Sequence, residues 1–316
     1  MTFALAGAMN PRLSRLMNVG VLAVLIVFLF IAPTFFERSL LFFILNWAVL
    51  AESFNLFAGL TGYVNFGHVV FYGVGGYVGA ILMDEAHVSP VLAVVAGGLA
   101  CMVLALGISL PTTRLRGAYF AIATLSINEA FFYIFNNWDA VGGPVGLDLP
   151  VSYFQPVVEY YAMAVVAVAC VAATWLISRS RFGTALQAIR QQEGTASAIG
   201  INAAYYKTVA LILSGFFAGL AGAMAIWQIT YINPSSAFDV NITVTSISMA
   251  MLGGLGTVAG PVIGGTLLYE LTDYLKSYPY IHLMILGVII IAVVLVIPDG
   301  IMGTVRKLAR RMRRDG

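Results

Sequence analysis

The stretch TVALILSGFFAGLAGAMAIWQIT, residues 208–230, decides the fold. It carries no charged side chain. A helix needs roughly 20 apolar residues to cross the hydrocarbon of a bilayer, and this run supplies them. Gly215 and Gly219 stand four apart inside it. In lipid, helices gain little from hydrophobic association, and small residues at that spacing let two backbones approach and pack. The run therefore reads as a membrane-spanning helix that packs closely on a neighbour.

The same signal recurs on either side. The chain has 316 residues, of which 60% are hydrophobic and 9% charged. Soluble domains carry about 25% charged residues, so there is too little polar surface here to cover a soluble fold of this size. Hydropathy places ten spans at about 18–36, 39–58, 66–83, 90–110, 117–136, 158–178, 208–230, 241–255, 258–276 and 281–298. The first follows Arg12 and Arg15 and lacks a small-x-small cleavage site, so it reads as a retained helix. Spans eight and nine are separated only by Gly253-Gly254-Leu255-Gly256-Thr257. They form two full spans or a broken, re-entrant hairpin. The expected fold is an all-α integral membrane protein, one transmembrane domain over residues 1–316.

Charge fixes the expected orientation. Lys and Arg collect in cytoplasmic segments. With the N-terminus inside, the inner segments are 1–17, 59–65, 111–116, 179–207, 253–257 and the basic tail 299–316. They hold fourteen of the sixteen Lys and Arg residues, leaving Arg38 and Lys276 outside. Both termini are then cytoplasmic. Spans two to five and seven to ten make two sets of four with opposite starting sides, the expected inverted repeat of many transporters.

Further glycines stand four apart or in series: Gly75 and Gly79, then Gly256, Gly260 and Gly264. With Gly215 and Gly219 they read as helix-packing contacts, as part of a solute path, or as both. Six residues are candidates for a translocation path. Glu52, Asn55, Asn65, His68 and Glu129 are polar groups at membrane depth, and Tyr119 opens the fifth span. A carboxylate at the bilayer centre costs roughly 2.5–3.5 kcal/mol, so Glu52 and Glu129 are expected to face the bundle interior or a watery cavity. Structural hydrogen bonds would serve the same residues equally well. Cys101 and Cys170 lie singly in apolar runs and read as small packing residues.

The segment 179–207 is too polar for the membrane. Thr184 can cap a short helix with Leu186 and Ile189 on one face, Gly194 interrupts it, and a second short turn follows to Ile199. Such a pair of interfacial helices reads as a docking element or as a solvated loop. No G-x-x-x-x-G-K-[ST] phosphate loop and no metal-binding pattern is present, so the chain is not expected to be an enzyme or to hold a cofactor or metal.

Several motifs in order carry a family resemblance. Gly62-Tyr63-Val64-Asn65-Phe66-Gly67-His68, followed by Phe71-Tyr72-Gly73-Val74-Gly75-Gly76-Tyr77, resembles the G-x-x-S-x-G-H and F-x-G-x-G-A-Y signature of branched-chain amino acid ABC permeases. Arg116-Gly117-Ala118-Tyr119-Phe120-Ala121 with Glu129 is similar to the family's R-G-x-Y-F-A stretch and the acidic residue that follows it. Gly142-Gly143-Pro144 resembles its outside loop, and Gly253-Gly254-Leu255-Gly256-Thr257 with Gly260-Pro261 completes the pattern. The likeness covers residues 40–300 and is nearest the LivM-type subunit. Asn65 stands where the family usually has Ser, and Gln191-Gln192-Glu193 where Glu-Asn-Glu is common.

The resemblance implies a permease subunit of an ATP-driven importer in the bacterial inner membrane. Its implied partners are a LivH-type second permease, two ABC ATPases that bind ATP and Mg, a periplasmic binding protein and lipid, but no nucleic acid. The implied ATPase-coupling residues in 179–207 are Arg181, Phe182, Gly183, Leu186, Ile189, Arg190, Glu193 and Gly200, with Arg190 and Glu193 touching the ATPases. Cargo of this layout includes branched-chain and other hydrophobic amino acids, urea and short amides. An ion-coupled transporter using Glu52 and Glu129 is the alternative from another class.

Overall fold

A computed structural model describes residues 33, 35–275, 287 and 300–304. Spans one and ten, the N-terminal arginines and the basic residues of the tail fall essentially outside these. The chain divides into two units, residues 1–41 and 42–316. Of the first, the described residues include the opening turn of the first helix.

The described residues form an all-α membrane protein. Helix α1 is Arg38–Phe54 and ends in a π-helical turn, Asn55–Gly59. Helix α2 is His68–Asp84, α3 Pro90–Thr112, α4 Ala118–Asn136 and α5 Pro156–Arg179. Two short helices follow, α6 Arg181–Gln191 and α7 Glu193–Ala198. Helix α8 is Ala203–Ile229, the short α9 is Pro234–Ala237, α10 is Val240–Gly253 and α11 is Gly260–Leu275. Five helices are long and apolar enough to cross a membrane: α1 with its π turn, α3, α4, α5 and α8. Helix α10, at 14 residues, reaches about 21 Å, short of the ~30 Å hydrocarbon core.

The helix starts follow from capping chemistry. Ser180, Asn202, Asn233 and Asp239 each stand in extended backbone and accept a hydrogen bond from an N–H of the first turn. This corrects two sequence expectations for the 179–207 segment. The cap is Ser180, whose Oγ accepts from Gly183 N at 3.1 Å, so α6 begins a turn before Thr184. The break between the short helices falls at Gln192, which is extended, and Gly194 lies within α7.

Helix α8 is the centre. It is 78% buried over its span window, against 22% for α4 and α5. Helices α2 and α3 lie on it through small residues. A Cβ on Gly75 would meet Gly219 O at 2.3 Å, and one on Gly222 would meet Tyr72 O at 2.0 Å. Gly79 approaches Ala223, Gly215 faces Phe71 and Ala105, and Gly219 faces Cys101. The glycines at 75, 79, 215 and 219 therefore do sit in helix–helix contacts. Gly260 and Gly264 likewise seat α11 against Gly253 and Met249 of α10. Gly256 departs from that expectation. It precedes α11, in the turn, with φ +84°, a conformation that favours glycine.

The two ends of the bundle gather different segments. At one end of α2, residues 59–65, 111–116, 179–207 and 253–257 come together. At the other end, the 137–157 loop pairs its residues Leu147–Asp148 (β1) antiparallel with Tyr231–Ile232 (β2) just after α8. Tyr153 Oη donates to Met83 O at 2.7 Å there, and Trp227 Nε1 donates to Tyr153 O at 2.7 Å.

Candidate functional site

The first of these ends is the richest polar site among the described residues. Its foundation is the π turn. Asn55, buried, reaches 200 residues along the chain to the α10–α11 turn. Its Nδ2 donates to Thr257 O at 2.9 Å and its Oδ1 accepts from Gly256 N at 2.6 Å. One amide therefore satisfies two backbone groups of the α10–α11 turn. Arg190, at the end of α6, donates through Nη1 to Gly59 O and lies against Gly256 and Gly62. Gly62 has φ +80° and its missing Cβ leaves room for the Arg190 stem.

Three residues on from Arg190, Glu193 opens α7 and collects three donors. Tyr63 Oη donates to its Oε2, Lys207 Nζ lies 3.2 Å from the same oxygen, and Arg116 Nε lies 3.4 Å from Oε1. Lys207 is fully buried in the first turns of α8, with its Nζ 4.4 Å from the centre of the Tyr63 ring. Partial burial works to raise the Glu193 pKa, but the Tyr63 bond and the Lys207 and Arg116 charges outweigh it, and the carboxyl titrates below its ordinary value. Burial and the neighbouring carboxylate push the Tyr63 phenol up, so it stays a donor.

The arm formed by α6 and α7 is seated by its apolar side. Leu186 and Ile189 are buried, Gly183 packs on the Ile177 carbonyl, and the Phe182 ring lies 5.1 Å from Tyr206. Its outer side stays open: Arg181 and Gly200 are exposed, and Ile199 is 71% exposed. Arg190 and Glu193, expected to touch the ATPases, also bond within the chain, and Arg190 remains exposed. A cleft of about 620 Å³ separates the arm from the 61–66 segment and the start of α4.

The six path candidates divide. Glu52, Asn55, Asn65 and His68 are buried. His68 Nε2 lies 3.1 Å from Ser53 Oγ, and Asn65 Oδ1 accepts from Gly67 N at 3.0 Å ahead of α2. Glu52 Oε2 is 3.5 Å from Asn55 Nδ2, while its Oε1 has no hydrogen-bond partner among the described residues. Tyr119 and Glu129, by contrast, lie on the exposed side of α4, so of the two settings expected for Glu129, the bundle interior or a watery cavity, it does not occupy the interior of this bundle. The sequence reading missed Tyr63, Lys207, Arg116 and Gly59 as partners of the arm. One signal was available: Glu193 is the lone acidic residue in 179–207, among three arginines and Lys207.

Among the described residues, no cluster of three His, Cys, Asp or Glu could hold a metal. What the geometry offers is an apolar bundle whose buried helices are tied to one polar, externally exposed arm. That is the build of a multi-pass membrane transport subunit.

The chain belongs to the family described as the permease component of the branched-chain amino acid transport system, which residues 37–294 match. It is 23% identical to the high-affinity branched-chain amino acid transport system permease protein LivM of Salmonella typhimurium, over 82% of this chain and 68% of that one. It is 25% identical to the corresponding LivH protein of Escherichia coli, over 82% and 91%. The BraD permease protein of Pseudomonas aeruginosa is 24% identical, over 71% and 80%. As a permease component, the chain resides in the inner membrane.

Proposed function

We propose that the chain is one of two permease subunits of an ATP-driven importer that moves branched-chain or related amino acids delivered by a periplasmic binding protein. A LivH-type subunit completes the path. Two ABC ATPases dock on the outer side of the α6–α7 arm and bind the ATP and Mg; this chain contributes no nucleotide site. Gln191, Gln192 and Ile199, all exposed, offer them contacts. Ten spans, both termini inside and an inverted repeat of spans two to five and seven to ten complete the reading. The convergence of 59–65, 111–116, 179–207 and 253–257 at one end supports that sidedness, because the charge count assigns all four to the cytoplasm.

The clasp beneath the arm carries the proposal. Arg190 holds the end of α1 and the α10–α11 turn, and Glu193 holds the 63 segment, the start of α8 and Arg116 just ahead of α4. A displacement of the arm by the ATPases would thus pull on all five of these segments at once. Arg190 and Glu193 act as transmission residues rather than as ATPase contacts.

The test is uptake by proteoliposomes holding the complete transporter. Uptake is expected to need ATP and the binding protein. Arg190→Ala is expected to keep the complex and its ATP hydrolysis while losing stimulation by the loaded binding protein. Uptake by this chain alone under an ion gradient would replace the reading with an ion-coupled transporter. A binding protein that takes urea or short amides would keep the mechanism and change the cargo.

A further inference from the structure

The outward faces of α3, α4 and α5 differ in kind. Along α3 the exposed residues are apolar throughout, as at Val95, Val103 and Leu110. Along α5 they are apolar apart from Tyr161 near its start and Arg179 at its end. Helix α4 is as exposed as α5, yet Ser126 and Glu129 are on its open side. With Tyr119 and Tyr133 they recur at steps of seven, three and four, one stripe of a helix. Phe120, Thr124, Asn128 and Phe135 occupy the opposite, buried side.

Glu129 lies about 16 Å from the start of α4 and about 10 Å from its end, at hydrocarbon depth rather than at the rim. Ser126 satisfies its hydroxyl on Ile122 O at 3.0 Å. Glu129 has neither hydrogen bond nor ion pair among the described residues. A carboxylate facing lipid at that depth is unfavourable by roughly 2.5–3.5 kcal/mol, so this stripe is not a lipid face. Nor does it resemble a helix seam. The seams of this protein are made of glycine and alanine in backbone contact, whereas the stripe bears two tyrosines, 75% and 62% exposed. Hydroxyl and carboxylate groups at 119, 126, 129 and 133 instead recur over about 21 Å of helix, with Ile122, Leu125 and Ile134 exposed beside them. The Tyr119 end of this track opens beside the cleft lined by Gly117, Ala118, Ala121 and Arg190.

We propose that Tyr119, Ser126, Glu129 and Tyr133 form one wall of an aqueous solute passage, and that Glu129 receives the ammonium group of the passing solute. The inference rests on the permease reading above and adds to it a wall and a recognition group.

Cys101 and Cys170 are buried, so cysteines introduced one at a time can be followed in the full transporter in membrane vesicles. Charged methanethiosulfonates react with the thiolate, which needs water. Ser126→Cys and Tyr133→Cys are expected to react at least about tenfold faster than Val103→Cys on α3 and Val165→Cys on α5. A cationic reagent is expected to outpace an anionic one at Ser126→Cys, and Glu129→Gln to erase that preference. In uptake, Glu129→Gln is expected to raise KM about tenfold for an amino acid, the loss of one charge-assisted bond, while Glu129→Asp retains most of the affinity. Equally slow labelling on all three helices overturns the passage. Unchanged KM in Glu129→Gln overturns the ammonium contact. The unaltered transporter separates the two levels. Absence of ATP-dependent uptake there defeats the permease reading, whereas normal uptake with unreactive α4 cysteines defeats this inference alone.

Discussion

The seam between α2 and α8 and the junction under the α6–α7 arm both join segments more than a hundred residues apart, but they do so by different means. At the seam, Gly75 and Gly222 place backbone on backbone, with no room for a methyl group on either side. Close packing of this kind has no alternative arrangement nearby, so the helices move as one body or not at all. At the junction, long side chains span the gaps. Arg190, Glu193 and Asn55 bond to carbonyls, N–H groups and charges that can be released and remade. The contrast separates the part of the molecule that must stay rigid from the part that can transmit motion.

Gly222→Val tests the rigid side and has the largest expected effect. Its Cβ alone would meet Tyr72 O at 2.0 Å, and overpacking of a tight contact is unfavourable by about 3 kcal/mol or more. Little monodisperse protein should survive detergent extraction; a variant that extracts and melts like the parent would mean the seam can open. Glu193→Ala comes next. It leaves the fully buried Lys207 without its carboxylate, which should destabilise the arm by about 2–3 kcal/mol, less than in a sealed pair because Glu193 keeps 14% exposure. Hydrogen exchange should quicken in 181–198 and stay slow in α2 and α8, and uniform protection would erase the contrast.

A smaller effect sharpens the junction. Gly256→Ala and Arg190→Ala should couple by about 1 kcal/mol in a double-mutant cycle, because a Cβ at 256 would meet Arg190 Nη1 at 2.3 Å. Additive losses would show that Arg190 and the α10–α11 turn are independent. Acidification should have the smallest effect. The folded-state pKa of Glu193 lies below its ordinary 4.5, so its contribution is full above 4.5 and is lost as pH falls through the lower folded value. Arm protection should therefore be flat from neutral pH down to 4.5 and decline only below it, and loosening nearer neutral pH would argue against the ion cluster.

Much of the rigid side was legible in the sequence. Helix seams in lipid leave a local trace, small residues four apart, and Gly75, Gly79, Gly215 and Gly219 all lie at such contacts. Hydropathy also placed helix limits among the described residues, as with the third, expected at 66–83 and found at His68–Asp84. The junction was legible only in part. The polar, helical arm was visible, but Ser180 and Thr184 are both plausible caps, and only the extended backbone at Ser180 decides between them. Bonds such as Arg190 to Gly59, 131 residues apart, leave no periodic trace. The outward turn of Glu129 was hidden for a related reason. Helix α4 mixes polar and apolar residues on both sides, so its pattern does not say which side is buried.

The Gly75–Gly222 seam also has a consequence for descent. Each helix blocks the other's first added carbon with main chain, and a main-chain atom cannot be exchanged by substitution. Neither position can take even alanine while the opposite helix keeps its place, and no compensating side-chain change reaches the obstacle. Lineages of this chain are therefore expected to vary the arm residues freely by paired exchanges, while the two glycines pass unchanged or are lost together with the separation of the helices.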